Sequence, residues 1–153
     1  MNFNAFKNDL SKLIKYNSVQ TLSAPNAPFG EQNANCLKEF LTLASSFGFE
    51  TKNYEGYAGE VMFGSGKDFG ILCHLDVVPA GDNSLWNYNP FTLTEKGGKL
   101  YGRGVLDDKG PALIILYALK ELKNKGFVPK RKIRLILGCN EETGWGCIEY
   151  LKK

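Results

Sequence analysis

Apolar residues recur at helical spacing from Asn4 to Tyr16, at Phe6, Leu10, Leu13 and Ile14, which predicts an amphipathic helix. A polar loop with Pro25 and Pro28 follows. A second helical pattern then runs through Cys36, Leu37, Phe40, Leu41, Leu43, Ala44 and Phe47, with Gly48 as its stop. Short strand-like runs come next, near 49–54, 59–63 and 69–73, and the stretch 92–100 reads as a hairpin turning at Gly97-Gly98. The spacing over 109–125 predicts the strongest helix, with Pro111 in its first turn, Asp107 or Asp108 as its cap and Gly126 at its end. The apolar, β-branched run Ile133-Arg134-Leu135-Ile136-Leu137 reads as a buried strand, and a last helix is expected to begin after Gly144. Helices alternating with strands predict an α/β layered domain with a mixed, mostly parallel sheet. In such sheets ligand sites gather outside the carboxyl ends of the strands.

Composition narrows the picture without naming a chemistry. The chain of 153 residues is about one domain long, and 43% apolar with 23% charged residues is ordinary for a globular protein. The net charge of +3 is small and its basic residues are scattered. The densest run, Lys130-Arg131-Lys132-Ile133-Arg134, reads as a solvated strand end, so nucleic acid is not indicated. Nothing approaches the ~20 apolar residues of a membrane span. The first residues, Met1-Asn2-Phe3-Asn4-Ala5-Phe6-Lys7, lack the basic start and apolar core of a signal peptide. Cys36, Cys73, Cys139 and Cys147 form no Cys-x-x-Cys pair and read as reduced thiols, Cys73 and Cys139 as core residues. A cytoplasmic protein is expected.

Three predicted elements lead into clusters of metal-ligand residue types. The run Phe69-Gly70-Ile71-Leu72-Cys73 leads into His74-Leu75-Asp76, and Gly102-Arg103-Gly104-Val105-Leu106 into Asp107-Asp108. The strand at 133–137 leads through Gly138-Cys139-Asn140 into Glu141-Glu142. His74 and Asp76 share one side of an extended strand, so one could bind a metal while the other orients the imidazole. Asp107 and Asp108 fit either paired acidic residues at a helix start or a carboxylate bridging two cations. Adjacent carboxylates resist desolvation, so Glu141 and Glu142 at a buried strand end call for a cation or a shared proton. Pointing in different directions, one could ligate a metal while the other faces substrate as general base. His74 is the only histidine, so a two-histidine site cannot form within one copy.

Two nucleotide motifs fail. Gly64-Ser65-Gly66-Lys67 is followed by Asp68 where a phosphate loop requires Ser or Thr. Gly102-Arg103-Gly104 begins like a dinucleotide fingerprint, but Asp107 stands where the third glycine belongs and would repel a pyrophosphate.

Taken together, the stretches 74–79, Trp86 with Pro90-Phe91, 100–110 and 141–144 resemble the di-metal exopeptidase and amidohydrolase superfamily. That group includes aminoacylase, carboxypeptidase G, succinyl-diaminopimelate desuccinylase and carnosinase. Within it the chain looks most like bacterial dipeptidases of the PepV type, through Pro28-Phe29-Gly30, Tyr57-Ala58-Gly59, 107–111 and 134–138. The resemblance implies a layered α/β/α zinc-exopeptidase-like catalytic domain. It implies that His74, Asp107 and Glu142 bind metal, with Asp107 bridging two ions and joined to Asp108 by a cis peptide. Asp76 would steer His74, and Glu141 would be the general base that deprotonates the attacking water. Two divalent ions are expected, zinc first, with manganese or cobalt as alternatives. The expected reaction is hydrolysis of dipeptides or short peptides, with N-acyl amino acid deacylation or a non-catalytic fragment as the other readings. The last predicted helix is only about two turns long at Lys153, and the family's remaining ligands and lid domain have no counterpart here. Residues 1–153 are therefore expected to be the amino-terminal part of a catalytic domain, inactive in isolation.

Overall fold

The computed structural model describes residues 2–152. Its elements in chain order are α1 (Phe3–Ile14), α2 (Glu31–Ser46), β1 (Glu50–Tyr54), β2 (Ala58–Phe63), β3 (Asp68–His74), β4 (Thr94–Lys96), β5 (Lys99–Tyr101), α3 (Lys109–Asn124), β6 (Lys132–Gly138) and α4 (Gly146–Leu151). Each sequence-predicted element is present, with ends shifted by a few residues. The expected run of the last helix on to Lys153 lies outside the described residues.

The main sheet has the order β1-β2-β6-β3, and β4 with β5 forms a separate hairpin. The sheet is mixed, as expected, but its balance differs from a parallel majority. β1 pairs antiparallel with β2, β2 antiparallel with β6, and only β3 runs parallel to β6. The reason is local: β1 and β2 are joined through residues 55–57 alone, and so short a link permits only an antiparallel return. β3 reaches β6 instead through α3, a connection long enough for a parallel crossover.

Side-chain alternation sorts the layers. In-register partners share a face, so Gly59, Val61, Leu135 and Leu137 form one row set. A Cβ on Gly59 would press on Leu37 and Leu41 of α2, which fixes that face as the one beneath the helices. The buried core joins these strands to Leu10, Leu13 and Ile14 of α1, Phe40 of α2, and Leu113 and Leu116 of α3. Gly138 points the other way, toward the Cys147 sulfur of α4. An α/β/α order results, with α4 covering only the carboxyl end of the second face.

Arg134 departs from the expected solvated strand end. It pairs with both oxygens of Glu60 on β2 and, at 2.8 Å, with Asp68 on β3. Tyr54 adds a hydrogen bond of 2.6 Å to Glu60. A guanidinium fork suits this bridging of two carboxylates, and it staples three strands on the face without α1–α3.

Cys36, Cys73, Cys139 and Cys147 are free and buried. Burial pushes the Cys73 thiol up to about 12, so it behaves as a small core residue. Among the described residues no helix is long and apolar enough to cross a membrane.

Candidate metal centre

Parallel pairing brings the site together. In the β3–β6 ladder His74 stands opposite Gly138, so both strands end at the same edge. The His74–Asp76 segment and the Glu141–Glu142 segment leave that edge side by side. α3 begins at the same edge and presents Asp107 and Asp108 from its amino-terminal approach.

Asp76 is the link between the two strand ends. It is 1% exposed, and its two oxygens accept hydrogen bonds from the backbone amides of Glu141 at 3.1 Å and Glu142 at 3.0 Å. Its Oδ1 lies 3.5 Å from His74 Nδ1, and its carbonyl oxygen lies 3.0 Å from the same nitrogen. One buried carboxylate thus orients both the imidazole and the paired glutamates. With Nδ1–H donating to the Asp76 carbonyl, the neutral ring keeps its Nε2 lone pair for the site.

Around Nε2 the acids converge. Asp107 Oδ1 lies 3.0 Å away and Glu141 Oε2 3.8 Å away. His74, Asp107 and Glu142 each offer a ligand atom within 4.8 Å of the others. The Asp107–Asp108 peptide is cis, as the family resemblance implied. Asp108 occupies the N-cap position of α3, yet its side chain makes no capping bond. Its Oδ2 instead accepts from the His74 amide at 3.1 Å. That amide, next to the unpaired edge of β3, supplies the donor that draws the carboxylate away from the helix. The capping explanation for this pair is thereby replaced.

Electrostatics in the cluster favour a cation. Burial pushes the Glu142 carboxyl above its ordinary value, and the charge of Asp107 adds to that rise. Burial works against protonation of His74, but Asp76 and then Asp107 outweigh it and raise the ring to about 9. The imidazole of His74 with the carboxylates of Asp107 and Glu142 is a mixed nitrogen–oxygen donor set that fits a divalent cation. With its folded value above 6.5, protonated His74 stabilises the metal-free fold fully below pH 6.5. That contribution disappears as pH rises toward about 9. The melting temperature of chelator-treated protein should therefore fall between those limits; a flat or rising profile would contradict the assignment.

Several residues that sequence reasoning passed over hold this edge in place. Ser18 donates to the Leu75 carbonyl at 2.7 Å, and its own carbonyl accepts from Val77 at 3.2 Å. Asn33, 1% exposed, donates to the Cys139 carbonyl at 2.8 Å. Asn140 bonds Gln20 at 2.8 Å and Thr143 at 2.6 Å, and accepts from the Gly146 amide at 2.9 Å. Asn33 carried a usable signal: it is a polar residue in line with Leu37 and Phe40 on the apolar stripe of its helix.

Residues 70–153 match the sequence pattern of Peptidase family M20/M25/M40. The putative dipeptidase YtjP of Bacillus subtilis is 40% identical over 148 residues, covering 95% of this chain. The beta-Ala-Xaa dipeptidase of Lactobacillus delbrueckii subsp. lactis is 43% identical over 153 residues, covering 97%. In both cases the chain spans only 32% of the relative's own length. Human carnosine dipeptidase 1 has the same fold over 97% of this chain and 34% of its own, with a TM-score of 0.82 at 24% identity.

Proposed function

Since the chain belongs to the M20/M25/M40 peptidase family, we propose that it forms part of a metal-dependent hydrolase that cleaves dipeptides or short peptides. The observation that carries this reading is the convergence of His74, Asp107 and Glu142 within 4.8 Å, with Glu141 beside them. His74, Asp107 and Glu142 would hold the ion, and the Asp107 side chain, 71% exposed, would remain open to solvent on its outer side. Zinc is the expected ion, with manganese and cobalt suited to the same oxygen-rich set. Bound divalent ions would lower the pKa of the attacking water and polarise the scissile carbonyl.

The chain's own residues do the remaining work. Glu141 takes the proton as the water oxygen attacks the carbonyl carbon. It then returns that proton to the departing nitrogen as the C–N bond breaks. Asp76 holds the Glu141 amide at 3.1 Å, so the base starts from a fixed backbone. His74 keeps one tautomer through its contact with the Asp76 carbonyl at 3.0 Å.

In this reading, residues 1–153 are the amino-terminal part of the catalytic domain. The remaining ligands and the lid come from sequence outside it, in keeping with the 32% coverage of its relatives. Its buried reduced thiols suit the cytoplasm. The test is to assay the full-length protein on dipeptides and on N-acyl amino acids, before and after chelation. Dipeptide turnover that disappears on chelation and returns with zinc is expected. Turnover of acyl substrates alone would overturn the peptidase assignment in favour of a deacylase.

A further inference from the structure

Lys109 is the first residue of α3 and is completely buried. Its ammonium donates to two backbone carbonyls at the end of α1, Tyr16 at 2.7 Å and Leu13 at 3.1 Å. A buried ammonium is costly, and carbonyls at a helix carboxyl terminus are where the macrodipole offsets that cost. Room for the stem is built in. A Cβ on Gly104 would lie 3.0 Å from Lys109 Cδ, and the backbone there has a φ of +88°.

A plain structural role is the obvious alternative, and the molecule contains a related, less buried example of one. At the other end of α3, Lys123 donates to the Phe47 carbonyl at 3.1 Å and to that of Gly48, at the end of α2. Both lysines join α3 to another helix. They differ in burial, Lys109 being wholly buried and Lys123 only partly so, and in their neighbours, since Lys109 directly follows Asp107 and Asp108.

Asp107 depends on its backbone for position. Its side chain is 71% exposed and touches His74 Nε2 at 3.0 Å. The backbone that carries it is anchored at Lys109 and, one residue on, by the Gly110 amide donating to the Gly104 carbonyl at 3.0 Å. Shifting Lys109 would move the carboxylate relative to His74, at the end of β3, and Glu142, in the segment after β6.

We propose that Lys109 is a positioning residue for the metal site: its tether to the end of α1 sets where Asp107 stands relative to His74 and Glu142. This rests on the ligand assignment above. The test measures zinc affinity of the full-length protein, by competition with a chromophoric chelator, for wild type, Lys109→Met and Lys123→Met. Removing a group that orients a ligand typically weakens metal binding by about ten- to a hundredfold, and that loss is expected for Lys109→Met. Lys123→Met should lower the melting temperature but leave zinc affinity unchanged.

Wild-type affinity in Lys109→Met, or an equal loss in Lys123→Met, would overturn the proposal while leaving the ligand assignment intact. Wild-type protein that fails to bind zinc would overturn the ligand assignment itself, and this proposal with it. If Lys109→Met does not fold, hydrogen exchange on the wild type decides. Zinc should slow amide exchange over 9–16 at the end of α1 but not over 39–46 at the end of α2. Equal effects at both ends would reject the tether.

Discussion

Glu141→Gln in the full-length protein is expected to reduce dipeptide turnover by about 10²–10⁴-fold, the range that a positioned general base contributes. Zinc affinity should change little, because Glu142 and not Glu141 joins His74 and Asp107 in the compact ligand set. Glutamine keeps the shape of the side chain and leaves the backbone N–H of residue 141 donating to Asp76, but cannot take a proton from water. Parallel measurement of turnover and zinc stoichiometry checks this. Loss of zinc together with activity would mean that Glu141 ligates and Glu142 is the base, an inversion that the 3.8 Å approach of Glu141 to His74 makes worth testing.

Asp76→Asn should have the second large effect, and of a different kind. The Asp76 carboxylate accepts from the amides of Glu141 and Glu142 and sits 3.5 Å from His74 Nδ1, while being 1% exposed. An asparagine can offer one carbonyl oxygen, and its amino group would then face an amide hydrogen. A hydrogen bond to a charged group contributes about 1.5–3 kcal/mol, so a stability loss of about 2–4 kcal/mol is expected. Zinc affinity should fall by about ten- to a hundredfold in the same variant. Denaturant titration and chelator competition read the two effects separately. A variant with wild-type values in both would remove Asp76 from the centre of the site.

Much of the scaffold was readable along the chain because each element carries its own punctuation. Gly48 and Gly126 stop helices, and the apolar run before Glu141 needs no tertiary information to read as a strand. The sheet's balance was less accessible. Nothing in 50–63 specifies antiparallel pairing except the shortness of the link between the two strands. The acidic pair at 107–108 admitted capping and metal readings because both use the same residues in the same place. Only the position of the His74 amide decides that Asp108 turns from the helix to the strand.

Other groups escaped for physical reasons. Asp76 could be read as steering a histidine two residues away, but the amides it holds belong to residues 65 and 66 positions later. Backbone donors leave no mark in a sequence. Nothing near Lys109 in the chain marks its burial, since its partners are carbonyl oxygens more than 90 positions earlier. Arg134 was hidden within a basic run whose other members do stay at the strand's end.

The parallel ladder between β3 and β6 also has a kinetic meaning. Its partners lie far apart in sequence, and the Asp76 bond to Glu141 closes a separation of 65 positions. Loop-closure entropy must be met before such contacts reward the chain, so this ladder belongs to the slower steps of folding. Until it closes, the lone imidazole and the paired glutamates are remote from one another. The cluster of His74, Asp107 and Glu142 is therefore assembled only as this ladder closes.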